Sequence, residues 1–464
     1  MDLTEQFAPF AARMRREGLP DLVIENFRHA YARLRAGETG VIPGSGALPI
    51  QDLPHYDDLG AEDARIGEEA LGRTVVCKLN GGLGTSMGMS GPKSLLPVKD
   101  GLSFLDITAR QVLHRRRQSG ARLPLVLMDS FSTHQASLAA LSVYPEFEQE
   151  LPLDFVQNKV PKVAKAGLVP VDWPDDPEKE WCPPGHGDIY PSLITTGLLD
   201  DMLGAGYDVL FVSNADNLGA VLDERILGSF VRCGCPFLME VTQRTPADSK
   251  GGHLARRPDG QLILRESAQC PPDEQDQFQD ISLYRFFNTN NLWIHLPALR
   301  AALTASNGVL DLPLIVNEKA VDSTQPESPR VYQLETAMGS AISLFAGAQA
   351  LVTPRNRFAP VKKNSDLLVL WSDVYQLLPD FTFALAAARG GSAPVVRLDD
   401  RYYGVFAEME DRFPHGAPSL IGCESLSVIG DVRFGREVVV EGNVTIEWQG
   451  EGQLRIEDGA RLRG

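Results

Sequence analysis

The chain has 464 residues, 43% of them hydrophobic and 23% charged, with a formal net charge of −17. That length suggests roughly two to four domains around a large buried core, in a composition ordinary for a globular protein. The acidic balance argues against nucleic acid as a main partner, which would need clustered Lys and Arg, but it leaves room for a phosphate ligand held by a few placed cations and backbone amides.

Six cysteines (Cys77, Cys182, Cys233, Cys235, Cys270, Cys423) lie far apart except for one Cys-x-Cys. No spacing resembles a zinc site, and they are too few for a disulfide scaffold. Met1–Arg16 mixes acids and bases without the apolar core of a signal peptide, and no apolar run approaches a membrane span. The expectation is a cytoplasmic protein with no membrane partner.

Leu22, Ile24, Phe27, Ala30, Tyr31 and Leu34 fall at roughly helical spacing, which predicts a helix over about 20–36 within an N-terminal helical segment, 1–70. A loop rich in Gly, Pro and Asp follows, from Gly37 to about Gly60. Strands are predicted at Thr74–Leu79, Leu123–Met128, Leu153–Gln157, Asp208–Ser213 and Phe237–Thr242. Helices are predicted at Leu102–Arg117, Ser132–Leu141, Ile194–Leu203 and Asp223–Cys233. This alternation predicts a mostly parallel α/β sheet covered on both faces, in a domain spanning 71–375.

The first of these strands runs into Asn80-Gly81-Gly82-Leu83-Gly84-Thr85-Ser86-Met87-Gly88-Met89-Ser90-Gly91-Pro92-Lys93. Five glycines in eleven residues allow tight turns and bring backbone amides close to an anion, and Lys93 adds a mobile positive charge. Spacing excludes two familiar loops. A dinucleotide fingerprint fails because Met87 stands where the third glycine belongs, and a Walker loop fails because Pro92 separates Gly91 from Lys93.

Further along, Gln157-Asn158-Lys159-Val160-Pro161-Lys162 follows a strand and, read alone, is equally a polar surface loop. In Trp181-Cys182-Pro183-Pro184-Gly185-His186-Gly187-Asp188, a lone His is by default structural, but the paired prolines and flanking glycines suit His186 to contact with a ligand. The most apolar strand ends in Asn214-Ala215-Asp216-Asn217, at the carboxyl edge where open α/β sheets bind ligands. A hard carboxylate there, Asp216, suits Mg²⁺ held jointly with phosphate oxygens, though a turn or cap role is the plain alternative. Phe287-Asn288-Thr289-Asn290-Asn291-Leu292-Trp293 carries three Asn in four positions, costly to bury unpaired and suited to a hydroxyl-rich sugar, or simply to a solvated turn. Arg355-Asn356-Arg357-Phe358-Ala359-Pro360-Val361-Lys362-Lys363 concentrates four cations in nine residues of an acidic protein, a run that by default is a solvated face.

From Val432 the apolar pairs Val432/Phe434, Val438/Val440, Val444/Ile446, Leu454/Ile456 and Ala460/Leu462 recur mostly at six-residue steps. That beat predicts a parallel β-helix within a C-terminal domain, 376–464; the alternative is a short antiparallel meander. The open edge of an end coil would suit self-association into a homo-oligomer. With no His beyond His415, an acyltransferase role for the tail is disfavoured.

The stretch Lys78–Gly88 followed by Gly91-Pro92-Lys93-Ser94 closely resembles the eukaryotic-type UTP–glucose-1-phosphate uridylyltransferase (UDP-glucose pyrophosphorylase) family. The related UDP-N-acetylhexosamine and broad-specificity UDP-sugar pyrophosphorylases usually carry Arg or Glu-Arg where this chain has Thr85-Ser86-Met87, so the resemblance favours glucose over those alternatives. It implies a Rossmann-like, GT-A-like mixed sheet with helices on both faces and a C-terminal left-handed parallel β-helix. It also implies UTP and glucose 1-phosphate as substrates and Mg²⁺ as cofactor. Leu79, Asn80, Gly81, Gly82, Gly84, Lys93, Gln157, Gly185 and Lys362 would bind the nucleotide, Gln157 and Gly185 at the uracil. His186, Asn214, Gly252, Asn288 and Asn290 would meet the sugar, Asp216 the metal, and Lys362 with Lys93 the reacting phosphates. Lys250-Gly251-Gly252 and Gln333–Gly339 also match, the latter without an assigned role. Two departures are Met89-Ser90, where many relatives have Cys and Lys, and a longer Asp322–Pro329 stretch, expected to alter a loop near the sugar site.

Overall fold

Thr74–Leu79 is buried along its length save for a half-buried Leu79, as a strand must be when both faces are covered. Val75 and Cys77 point into one core with Val126, Met128, Leu210 and Val212. Val76 points into another with Leu125, Leu127, Val209 and Phe211. The period of two along each strand divides the apolar residues between two layers of helices. The computed structural model describes residues 2–464 except Ser90, Pro246, Ala247, Ser249, Lys250 and Ser323, and except the side chain of Ser86.

This strand lies near the middle of a nine-stranded sheet. Leu125–Asp129 and Val209–Asn214 flank it in parallel, and Asp154–Val156 extends the sheet in parallel beyond the first. On the other side Phe286–His295 pairs antiparallel with both Val209–Asn214 and Phe237–Gln243. His253–Arg256 and Leu262–Arg265 form an antiparallel edge. The sheet is therefore mixed, whereas alternation alone suggested mostly parallel strands. The residues responsible are the ten of Phe286–His295, whose polar Asn-rich middle masks a buried strand.

One layer contains Ile189–Thr195, Leu198–Gly204 and Leu296–Ala305; the other contains Phe104–Ser119 and Glu224–Cys233. The single helix expected at Ile194–Leu203 is two, broken at Gly197, whose φ of 77° is left-handed and ends the first helix. The expected N-terminal helix is Asp21–Arg35, and Leu3–Arg16 precedes it. Phe7, Phe10 and Met14 of that extra helix pack on Phe27 and Tyr31; Pro9 inside it hides the helix from a propensity reading. Among the described residues no helix is long and apolar enough to cross a membrane.

In the tail, Val395–Leu398, Ser419–Ile429, Val439–Glu447 and Arg461–Arg463 pair in parallel, in that order. Val432–Phe434 pairs in parallel with Leu454–Ile456. Leu426 stands over Val444 and Val428 over Ile446, three six-residue beats later, so an antiparallel meander is excluded. The apolar cluster of this region is not self-contained: Met87, Leu96, Val98 and Phe104 belong to it.

Candidate functional site

Where Thr74–Leu79 ends, the chain keeps one more sheet bond, from Asn80 N to the Met128 carbonyl at 2.8 Å, and then turns. The Asn80 amide group donates to Asp129 Oδ1 (2.7 Å) and Ser137 Oγ (2.8 Å), fixing the entrance of the glycine segment. The segment then folds back on itself. Leu83 pairs with Pro92, Lys93 N donates to the Gly82 carbonyl (3.1 Å) and Gly84 N to that of Gly91 (3.3 Å). Among the described residues no long helix starts here, only short turns at Thr85–Met87 and Lys93–Leu95, so the loop differs in form as well as spacing from a P-loop.

This return brings Lys93 to the end of the neighbouring strand. Its ammonium lies 2.7 Å from Asp216 Oδ2 and also donates to the Val361 carbonyl. Three segments distant in sequence thus meet at one point. Asn217 holds the third in place: its side chain donates to the Arg357 carbonyl (3.0 Å) and accepts from Ala359 N (3.0 Å). Beneath, Arg357 makes two 2.7 Å bonds to the fully buried Glu240, which also accepts from Trp293 Nε1 (3.0 Å) and the Asn291 amide (3.2 Å). The cation run is therefore not a simple solvated face. Arg357 is buried in that pair, Arg355 binds Asp248, Lys363 binds Asp400, and Lys362 has no ion pair among the described residues. The Lys362 side chain is exposed, with its ammonium 5.9 Å from the Phe287 ring centre.

Lys78, one step from the strand end, is buried and donates to Ser213 Oγ (2.7 Å) and the Ala220 carbonyl (2.8 Å). Burial, with the nearby Arg357 charge, pushes its ammonium down to about 7. The sequence reading gave Lys78 no role, and the same holds for Glu240. A charge inside an apolar strand was the available signal, since such charges are rarely buried without partners.

Gln157 approaches the loop from the other flank. Its N donates to the Asp129 carbonyl (2.7 Å), and its amide nitrogen stands 2.8 Å from where a Cβ on Gly81 would be. Asp188 is the clamp behind it, accepting from Asn158 N (2.6 Å), the Asn158 amide (3.1 Å) and Ser192 Oγ (2.8 Å). Burial pushes the Asp188 carboxyl up to about 6. Gly185 sits at φ 81° with the Thr336 carbonyl oxygen 2.4 Å from its notional Cβ, so no other residue fits there. His186 Nδ1 accepts from Met338 N (2.9 Å), which assigns the ring proton to Nε2. Burial lowers this imidazole to about 4, so it is neutral at ordinary pH. Gln333–Gly339 thereby acquires a function, as the seat of the Gly185–His186 turn.

Gly252, Asn288 and Asn290 come together as well. Asn288 N donates to the Gly252 carbonyl (3.2 Å), and its side chain donates to Asn290 Oδ1 (2.8 Å). A bulge in the pairing, between Glu240 and Val241, sends Asn291 inward to Glu240 and leaves Asn290 in a left-handed conformation. Val212 faces Leu292, so two residues further on Asn214 reaches the Asn290 end of the sheet. Glu266, unnoticed in the sequence, lies against Gly252, and burial pushes its carboxyl up to about 7. Lys250 and Ser90 lie outside the described residues. The Asp322–Pro329 stretch is not near this cluster. It joins the Ala320–Arg330 end of a hairpin whose opposite end, Leu314–Thr336, touches Gly185, about 20 Å away along the strands.

An open α/β sheet whose carboxyl edge gathers a glycine-rich turn, a Lys93–Asp216 pair and a lysine-bearing segment defines a nucleotidyltransferase. Residues 25–441 match the family profile described as UTP–glucose-1-phosphate uridylyltransferase. The chain belongs to that family. It is 40% identical to the UTP–glucose-1-phosphate uridylyltransferase of Hordeum vulgare over 98% of this chain and 97% of that one. With the Saccharomyces cerevisiae protein of that name the identity is 40%, over 84% and 77%. A Leishmania major UDP-glucose pyrophosphorylase variant, solved in complex with UDP-glucose, superposes with a TM-score of 0.92 at 44% identity, covering 99% of this chain and 98% of that chain.

Proposed function

We propose that this enzyme transfers a uridylyl group from UTP to glucose 1-phosphate, reversibly, giving UDP-glucose and pyrophosphate. The observation that carries the reading is the contact of Lys93 with both Asp216 and the Val361 carbonyl, which joins the glycine loop, the strand end and the Lys362 segment at one point. A phosphate oxygen of glucose 1-phosphate attacks the α-phosphorus and pyrophosphate leaves. The nucleophile is already an anion, so no general base is needed; positioning and charge neutralisation supply the catalysis.

In this reading Gly81, Gly82, Gly84 and the backbone of Leu79 and Asn80 cradle the nucleotide, while Gln157 and Gly185 meet the uracil. Lys93 holds the triphosphate and then the pyrophosphate, and Lys362 draws the two phosphates together. His186, neutral, orients the sugar as a hydrogen-bond donor together with Asn214, Gly252, Asn288 and Asn290. The metal fits on chemical grounds: Asp216 offers a partly exposed carboxylate of which Lys93 occupies one oxygen, and Mg²⁺ takes few protein ligands. When bound it supplies positive charge to the phosphate oxygens.

The division at about residues 70 and 375, a cytoplasmic location and a parallel β-helix in the tail belong to the same proposal. The stacked parallel strands of Ser419–Ile429, Val439–Glu447 and Arg461–Arg463 support the β-helix. The outer strand Arg461–Arg463 pairs on one side, which suits end-to-end self-association. Pyrophosphate release from UTP with different hexose 1-phosphates tests the central reading.

A further inference from the structure

Behind the Asn80 turn, three side chains meet that the transfer reaction does not use. Asp129 ends the strand Leu125–Asp129, His134 begins the helix His134–Leu141 and Asp154 begins the strand Asp154–Val156. One ring nitrogen of the histidine and one oxygen of each carboxylate lie within 4.8 Å of one another. Asp129 Oδ1 is fully used, accepting from the Asn80 amide (2.7 Å), Thr133 Oγ1 (2.8 Å) and Ser137 Oγ (3.0 Å). Its other oxygen, Oδ2, is buried and accepts no hydrogen bond among the described residues, in a residue 0% exposed. Since Oδ1 is taken, Oδ2 is the oxygen Asp129 has left for the group.

A buried carboxylate oxygen without a donor is costly, and a second carboxylate beside it adds to the cost. The contact between His134 Nδ1 and Asp154 Oδ2 satisfies those two groups but leaves Asp129 Oδ2 alone. A cation would satisfy all three. The His134 side chain is 31% exposed and that of Asp154 10%, so an ion can enter from solvent on the histidine side and keep water in its remaining positions there. One imidazole with two carboxylates suits a borderline transition ion; Mg²⁺ prefers oxygen alone.

We propose that Asp129, His134 and Asp154 form a Zn²⁺ site, separate from the metal position at Asp216. Its place in the fold gives it a purpose. Asp129 holds Asn80 through Oδ1 and Gln157 N through its carbonyl (2.7 Å), so an ion on Oδ2 stiffens both flanks of the glycine loop.

The site is tested on the full chain without UTP, using Co²⁺ as a spectroscopic stand-in. Visible absorption should rise to saturation and be displaced by Zn²⁺. The affinity should fall at least about tenfold in His134→Gln and in Asp154→Asn and stay unchanged in Asp216→Asn. Zn²⁺ should raise the unfolding midpoint of the wild-type chain and leave that of His134→Gln unmoved. His134 is partly exposed, and circular dichroism is the check that its variant is folded. Absorption unchanged in folded His134→Gln, or no displaceable Co²⁺ signal in the wild type, overturns the proposal. Because no step involves UTP or turnover, this outcome is independent of the uridylyltransferase reading.

Discussion

Lys362 and His186 sit in opposite surroundings, which suit the different kinds of work proposed for them. Lys362 is exposed, close to the Lys93–Asp216 pair through Val361, and without an ion pair among the described residues, as a cation reserved for phosphates should be. Lys362→Ala should lower kcat by about 10²-fold or more, the scale for losing one oriented charge at the reacting centre; a near-normal kcat would remove it from the mechanism. His186 is the reverse, half-buried, neutral and fixed in one tautomer by Met338 N. Its ring resonances should stay flat from pH 8 down to about 5 and move only near 4, and an inflection at the ordinary imidazole value would contradict this. The sign for stability follows: between about 6.5 and 4 the unfolded chain binds this proton and the folded chain does not, so stability falls as pH drops through that window. Asp188 acts one step back, through Asn158, on the placement of Gln157. Asp188→Ala should raise the KM for UTP by a larger factor than it lowers kcat, and the opposite split would place Asp188 elsewhere.

At the scale of elements, the site depends on one segment being pinned. Asn217 makes two of the side-chain bonds that seat Arg357–Ala359 against the strand end, with Asn291 adding a longer one, and Asn217→Ala should cost about 1–3 kcal/mol in urea unfolding and reduce kcat. Full turnover in this variant would mean that Lys362 is placed by something else. Glu240→Gln should be worse, about 3–5 kcal/mol, because it leaves the buried Arg357 unpaired. Elements were also where the sequence was most and least informative. Thr74–Leu79 is an uninterrupted buried strand and its limits are readable to the residue. The glycine turn, the Gly185–His186 turn and Asp216 stand out because turn chemistry and strand ends are local, whereas Gln157 and Lys362 are singled out only by the family resemblance. Asn217, Arg357 and Glu240 cannot, because their work consists of contacts between segments far apart in sequence. Asn291 looks like Asn288 in the sequence, and only the bulge at Glu240 separates a structural asparagine from the two beside Gly252.

Over the whole molecule, the tail and the glycine loop share one apolar cluster. Met87 is buried with Leu367, Tyr403, Phe413 and Leu426, and Gly88 lies against Val405. Leu426→Ala, deep in the stacked strands, should cost about 2–5 kcal/mol. It should also speed amide hydrogen exchange at Gly84–Met89; an unchanged loop would mean that the tail packs independently. The six-residue beat located the strands from Val432 onwards, but neither Val395–Leu398 and Ser419–Ile429 before them nor this shared core, which arises only when the chain is folded. The most direct test of the account is pyrophosphate release from UTP and Mg²⁺ with a panel of hexose 1-phosphates. Glucose 1-phosphate should be turned over fastest by a wide margin. Equal rates with N-acetylglucosamine 1-phosphate, or UDP-glucose binding with no pyrophosphate formed from any sugar, would contradict it.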